Sequence, residues 1–369
     1  MNMETGLVRE LAQAEGPVAS VYLDVTRSTE NARQEIELRW REAREELEDQ
    51  LADRPTIDAL EEALRTAQPA VGAAGRVLVA ADGEVLLDEE VSEPPALPYA
   101  RWSPLPQVLP VLADSAPGAP LVVAVVDRIG ADLRLYERNA TLRAEHTVEG
   151  ETHPVHKVRG LGWSHHRAQQ RVEDTAARNA GEIAEEIDRL VRRSGAGLVL
   201  VAGEVRARNE VLAALPPNSQ QRAVSTEVGG RAEGTDTEAL EDEIRALLRE
   251  KVAQDTRDAL EEFRAELGRG SGRALSGLRP VLTALREGRM DTVLLRSTGL
   301  EQRVYVGPEH SQVAVDREEL GLPEEEVTTE RADAAVVAAA ALTGAHVHLF
   351  DEDETVPTEV GGLLRYAAR

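Results

Sequence analysis

Between residues 153 and 171 the chain reads HPVHKVRGLGWSHHRAQQR, with one lysine, three arginines, four of the eight histidines, a tryptophan and no acid. In a chain of net charge -25, this composition suits contact with an anionic RNA, since a strongly acidic protein otherwise repels polyanions. Lys157, Arg159, Arg167 and Arg171 can pair with phosphates. Trp163, His165 or His166 can stack on a base, and Gly160 and Gly162 keep the backbone adaptable. The plainer alternative is a solvated loop whose cations neutralise nearby acids such as Glu173 and Asp174.

Other chemistries fit these residues less well. Zinc requires three or four convergent ligands in fixed geometry, whereas His153, His156, His165 and His166 stand beside repelling cations without a thiolate, so no metal site is expected. A histidine acting as general base near neutral pH stays open. Gly160-x-Gly162 lacks the third glycine and the feeding strand of a dinucleotide fingerprint, and no cofactor is expected. The chain contains no cysteine, which excludes disulfides and thiolate nucleophiles.

The 67 acids outnumber 42 basic residues, and Lys157 and Lys251 are the only lysines. This balance argues against broad nonspecific binding to nucleic acid and makes one basic stretch more informative. A hydrophobic content of 42% over 369 residues supports two or three packed domains. The beginning of the sequence is acidic and lacks a signal-peptide core, and the most apolar run, 334–342, is short of the roughly 18–20 residues of a membrane span. The expectation is a cytoplasmic protein without membrane contact.

Periodicity predicts the scaffold around the basic stretch. A strand at 18–25 precedes a helix at 30–51 with Ile36, Trp40, Ala43, Leu47 and Leu51 on its apolar face, then a helix at 57–66. Strands at 76–81 and 84–88 meet across Asp82-Gly83, a type I′ pair, and the proline-rich 94–110 reads as a connector. Strands are expected at 121–126, 131–137 and 141–148, then the basic loop, a helix at 168–193, a strand at 197–202 and a helix at 204–214. A long helix at 236–267 can bridge two domains. Beyond it, helices at 275–287 and 330–342 alternate with strands at 292–296 and 345–350. His346 and His348 share one strand face, read as solvent-exposed. The acidic runs 324–326 and 351–354 read as solvated turns, with docking of a translation GTPase as the alternative. Arg27, Arg33, Arg39, Arg41 and Arg44 could approach RNA, but acids on the same helix offer intrahelical pairing.

The stretches LRPVLTALREGRMDTVLL (278–295) and VGGLLRY (360–366) resemble the C-terminal domain of archaeo-eukaryotic peptide chain release factors. With the middle section and the bridging helix, the resemblance spans roughly residues 120–369. In such factors a Gly-Gly-Gln loop ahead of a long helix enters the peptidyl-transferase centre and helps water attack the peptidyl-tRNA ester; residues 153–171 take that place here. The tripeptide is missing, and the nearest glutamines, Gln169 and Gln170, stand seven and eight residues after Gly162. The first section also lacks the stop-codon-reading Asn-Ile-Lys-Ser motif. The resemblance therefore points to the divergent bacterial branch of Balon-type hibernation factors, with Vms-type peptidyl-tRNA hydrolases as relatives.

What the resemblance implies is an α/β protein of three domains. These are a divergent N-terminal α/β domain (1–118), an RNase H-like middle domain with the bridging helix (119–268), and a C-terminal α/β sandwich like ribosomal protein L30e (269–369). The implied function is occupation of the A site of idle ribosomes without codon-directed termination. rRNA is then contacted through Lys157, Arg159, Gly160, Gly162, Trp163, His165, His166, Arg167 and Arg171, and elongation factor Tu or another translation GTPase is a candidate partner. The alternative is a peptidyl-tRNA hydrolase in which Gln169 or Gln170, or a loop histidine, positions the attacking water.

Overall fold

The computed structural model describes residues 3–14, 16–27, 31–66, 73–95, 98–114, 120–136, 142–149, 163–230, 237–351, 356 and 358–367. The first section contains α1 (Met3–Ala12), β1 (Val18–Asp24), α2 (Ala32–Asp49), α3 (Arg54–Thr66), β2 (Gly75–Ala81), β3 (Glu84–Val91), β4 (Tyr99–Ser103) and α4 (Leu109–Asp114). Its strands form an antiparallel sheet in the order β3-β2-β1-β4. Period-two alternation turns Ala19, Val21 and Leu23 toward Trp40, Ala43 and Leu47 of α2 and Ile57 and Leu60 of α3. Asp82 and Gly83 take φ of 51° and 78°, as a type I′ hairpin demands.

Two expectations are corrected in this section. Residues 94–110 are not merely a connector, because β4 pairs with β1. Its free edge is satisfied locally: the Gln50 amide donates to Ala100 O at 2.9 Å and accepts from Trp102 N at 2.9 Å. The prolines around β4 hide this strand from a reading by composition. Leu51, expected on the apolar helix face, is 85% exposed with φ 63°. Helix α2 ends before it, and the left-handed backbone takes the side chain off the helical stripe.

The middle section holds β5 (Leu121–Val126), β6 (Gly130–Tyr136), β7 (Leu142–Glu149), α5 (Trp163–Ser194), β8 (Leu198–Gly203), α6 (Val205–Ala214), α7 (Pro217–Gln220), β9 (Ala223–Ser225) and α8 (Thr237–Arg269). Its sheet has the order β7-β6-β5-β8-β9, antiparallel from β7 to β5 and parallel from β5 to β9, the strand order of the expected RNase H-like sheet. One face, with Val122, Ala124, Val199 and Val201, packs on α5 and α6. The other, with Leu121, Val123 and Leu200, packs on Leu240, Ile244 and Leu248 of α8. Burial on both faces explains the unbroken apolar run of β5.

The last section adds β10 (Ala274–Ser276), α9 (Leu278–Arg286), β11 (Met290–Arg296), β12 (Arg303–Val306), β13 (Val313–Ala314), β14 (Thr328–Arg331), α10 (Ala332–Thr343), β15 (His346–Phe350) and β16 (Val360–Leu364). Strands β10-β16-β11-β15 form one sheet and β13-β12-β14 a second, smaller one that periodicity does not reveal. The chain is thus a mixed α/β protein with several sheets, as the sequence predicts. Its contacts group residues 1–115 with 254–369 in one compact unit and 116–253 in another. In the first unit, Val8 and Leu11 of α1 share a core with Val336 and Ala340 of α10. The second half of α8 belongs to that unit too, placing Leu260 and Phe263 with Leu294, Phe350 and Leu363.

Arginines close the exposed carbonyls at the end of α10. Arg9 donates to Ala341 O at 3.0 and 2.7 Å and to Leu342 O at 3.3 Å, while Arg365 donates to Thr343 O and Gly344 O. A cation there also opposes the negative end of the helix dipole. Arg9→Ala is therefore expected to cost about 1.5–3 kcal/mol, the range for a hydrogen bond from a charged group. Urea denaturation should show a lower midpoint, and hydrogen exchange should show faster exchange along α1.

Candidate functional site

The geometry that receives the basic stretch is built at one end of the middle sheet. Strands β5 and β8 run parallel in register from Leu121 opposite Leu198 to Val126 opposite Gly203, so their carboxyl ends lie together. At this end Asp127 Oδ1 accepts from Ile129 N at 2.7 Å and Gly130 N at 2.8 Å, fixing the β5–β6 turn. Arg128 ties that turn to the start of α6 through Glu204 at 2.8 Å. Strand β7 ends at Glu149, directly opposite Gly130. The chain therefore leaves the sheet beside the Asp127–Gly130 turn, and the next described residue, Trp163, starts α5.

Helix α5 reaches the same place from the other side. Its core positions run from Ala180 through Ile183, Ala184 and Ile187 to Val191, and Asn179, 3% exposed, donates through Nδ2 to Arg128 O at 3.2 Å. The helix begins sixteen residues before Asn179, which at 1.5 Å per residue is about 24 Å of helix. Trp163, His165, His166, Arg167, Gln169, Gln170 and Arg171 are carried on this N-terminal length, of which the backbone is described. Positions 163, 167, 170 and 171 fall on one stripe of a 3.6-residue helix.

A helix beginning at Trp163 corrects the expected start at residue 168. Gly160 and Gly162 stand before it, and the good helix formers from Arg167 to Glu173 carry Trp163–His166 into the helix as its first turn. Trp163, His165, His166 and Arg167 accordingly belong to a helix rather than a loop, and Gln169 and Gln170 lie further along the same backbone. Lys157, Arg159, Gly160 and Gly162, with His153 and His156, lie outside the described residues.

Asp127, Arg128, Asn179 and Gly203 anchor the base of this site, and the sequence does not single them out as site residues. Two local signals accompany them: an Asp-x-x-Gly turn between apolar strands, and an asparagine on the buried stripe of an amphipathic helix. Gly203 has φ 110°, and a β-carbon there would overlap Val126 O and lie 2.9 Å from Val126 N. Ile129 and Val205 are exposed at the same end, beside a shallow apolar hollow lined by Val205, Asn209 and Ala213.

Several of the remaining candidates take structural roles. Arg33 meets Glu37 at 3.5 Å, Arg39 meets Asp24 at 3.0 Å, and Arg44 meets Glu48 and Glu61 at 2.9 Å. Arg39 also meets Glu35 at 3.7 Å, so all three make the expected intrahelical pair, with Asp24 of β1 and Glu61 of α3 as further partners. His346 and His348 are half-buried rather than solvent-exposed, with His348 Nδ1 3.3 Å from Thr256 Oγ1, because β15 packs toward α8. Glu324–Glu326 form an exposed helical turn, and residues 352–355 lie outside the described residues. Among the described residues no group of three or more His, Cys, Asp or Glu could hold a metal, and no helix is long and apolar enough to cross a membrane.

Residues 120–269 match the model of a family described as bacterial archaeo-eukaryotic release factor family 2. Two uncharacterized proteins of Mycobacterium tuberculosis, Rv2629 of strain H37Rv and MT2704 of strain CDC 1551, are each 37% identical over 371 residues, covering 99% of this chain and 98% of theirs. Among solved structures, Archaeoglobus fulgidus Pelota aligns at 11% identity with a TM-score of 0.36, over 100% of this chain and 94% of its own. Ribosome-bound archaeal Pelota with ABCE1 aligns at 11% and 0.42, over 99% and 95%. Dom34 of S. cerevisiae, a termination-like factor interacting with Hbs1, aligns at 10% and 0.40, over 80% of each chain.

Proposed function

We propose that this chain, whose residues 120–269 match the model of bacterial archaeo-eukaryotic release factor family 2, is a ribosome-binding factor that occupies the A site of idle ribosomes and protects them, without codon-directed termination. The observation that carries this reading is an acid-free basic stretch in a chain of charge -25 that runs into a helix beginning about 24 Å before the buried Asn179. Lys157, Arg159, Arg167 and Arg171 meet rRNA phosphates, Trp163 and His165 or His166 stack on unpaired bases, and Gly160 and Gly162 admit close approach. Additional weak contacts from the segments 1–118 and 269–369 raise the effective concentration of each at the ribosome. A translation GTPase of the elongation factor Tu type is the partner in this reading, and the cytoplasm its compartment.

The test is a cryo-EM reconstruction of the protein with vacant ribosomes, paired with a peptidyl-tRNA release assay on the same sample. The expected result is A-site density with residues 153–171 near the peptidyl-transferase centre and no release. Absence of bound density would sink the proposal.

A second reading, peptidyl-tRNA hydrolysis, is favoured by the adjacent Gln169 and Gln170 after a glycine-containing loop. It predicts measurable release that Gln169→Ala or Gln170→Ala abolishes while ribosome binding stays intact. Release surviving both substitutions would remove the glutamines from the chemistry.

A further inference from the structure

Within the unit formed by residues 1–115 and 254–369, a cleft of about 890 Å³ lies between the β1–β4 face with the stretch 106–114 and the turn 297–301, β12 and α10. Its volume falls in the range of roughly 300–1,000 Å³ typical of small-molecule sites. Cross-strand pairing sets Arg101 opposite Ser20 and Tyr99 opposite Tyr22, on the sheet face turned away from α2 and α3. Gln107 is pinned beside them. Its N–H donates to Ser20 Oγ at 3.0 Å, and its carbonyl accepts from Tyr99 OH at 2.9 Å.

The backbone of Gln107 is thus fully used, yet its side-chain Nε2 has no partner among the described residues, although the residue is only 7% exposed. Arg101 Nε is buried and unpartnered as well. An unmet buried donor costs about 1–3 kcal/mol, so two of them flanking Ser20 on a cavity wall form a place shaped for acceptors.

The charges of the cleft sort in the same direction. Asp333, the buried acid, is occupied by Arg331 at 2.6 Å and by Leu300 N at 3.2 Å. Glu46, Glu93, Asp114, Glu301 and Asp351 are all exposed at the rim. Behind the wall, Arg101 and Arg303 both act on the single carboxylate of Glu330, whose pKa is raised chiefly by burial. Among the lining residues the unmet buried groups are thus the N–H donors of Arg101 and Gln107; Glu330 Oε2, which does not line the cleft, is likewise without a hydrogen-bond partner among the described residues.

We propose that this cleft binds a small oxyanion-bearing molecule of up to nucleotide size, a carboxylate or a phosphate, with Arg101 and Gln107 as its donors. The site is independent of the basic stretch at residues 153–171 and belongs to the other compact unit.

Isothermal titration of the full chain with inorganic pyrophosphate, GMP and citrate as separate probes tests the proposal and distinguishes phosphate from carboxylate. Saturable binding of at least one probe is expected, weakened about tenfold or more by Gln107→Leu and by Arg101→Met, the loss of a charged or amide donor being worth at least about 1.4 kcal/mol. Gln107→Leu removes an unmet buried donor, so its melting temperature should equal or exceed that of the parent chain, which separates lost binding from lost folding. Failure of all three probes to saturate, or binding that both variants leave unchanged, overturns the proposal.

Discussion

Changing Lys157, Arg159, Arg167 and Arg171 together to glutamate is expected to lower affinity for vacant ribosomes about 10²-fold near 150 mM salt, while the melting temperature of the protein stays within about 2 °C of the parent. Released counterions set the size of this effect. Four phosphate contacts give a slope of log affinity against log salt of about -3, between the single-strand and duplex values for four charges. Raising salt from about 50 to about 200 mM should then weaken the parent chain roughly 50- to 100-fold. In the fourfold variant that dependence should flatten or reverse, because the remaining surface is strongly acidic. Co-sedimentation across a salt series measures both quantities. A parent chain whose binding ignores salt would show that phosphates are not what this stretch contacts, and the fourfold variant binding like the parent would point to the alternative of a loop that only balances Glu173 and Asp174.

The second large effect belongs to the scaffold. Gly203→Ala should destabilise the middle unit by about 2–5 kcal/mol, combining about 1–2 kcal/mol for an L-residue with left-handed φ with about 1–3 kcal/mol for overpacking. The cause is specific: Gly203 has φ 110° and faces Val126 across the β5–β8 pair, where a β-carbon would collide with that residue's carbonyl oxygen and nitrogen. Neighbouring backbone cannot give way, since Val126 O also accepts from Glu204 N at 3.1 Å. Gly181→Ala in α5 is the control. A β-carbon there meets nothing within 4 Å, and replacing a helical glycine should stabilise by about 0.5–1 kcal/mol. Hydrogen exchange read separately over residues 116–253 and over the rest of the chain gives the sign of each change. Equal stability of Gly203→Ala and the parent would mean that the end of β8 is not held as described.

Local signals in the sequence carried much of the architecture. The two-residue alternation of β1, the all-apolar run of β5 and the buried stripe of α5 each reflect a burial pattern that one element imposes on its own residues. The Gly361-Gly362 pair was legible as a motif, though not its reason. A β-carbon on Gly361 would press on Phe263 of α8 at 2.8 Å, and one on Gly362 would meet Met290 Sδ at 2.8 Å. The glycines thus exist for close packing of β16 against its neighbours.

Composition and periodicity were enough to reveal a basic stretch standing out from an acidic chain, a helix behind it and an α/β succession, and the motifs at 278–295 and 360–366 carried the resemblance to release factors. These are properties of neighbouring residues, and neighbouring residues suffice to show them. Tertiary structure alone decided what depends on partners distant along the chain. It paired β4 with β1 despite its prolines, joined α1 to α10 through Arg9, and set Asn179 under the turn of Arg128, 51 residues away. It also placed Gln107 beside Ser20, 87 residues away. The physical reason is that a buried polar group is read correctly only once its partner is known. No spacing in the chain announces that Asn179 has found an acceptor while the amide of Gln107 has not.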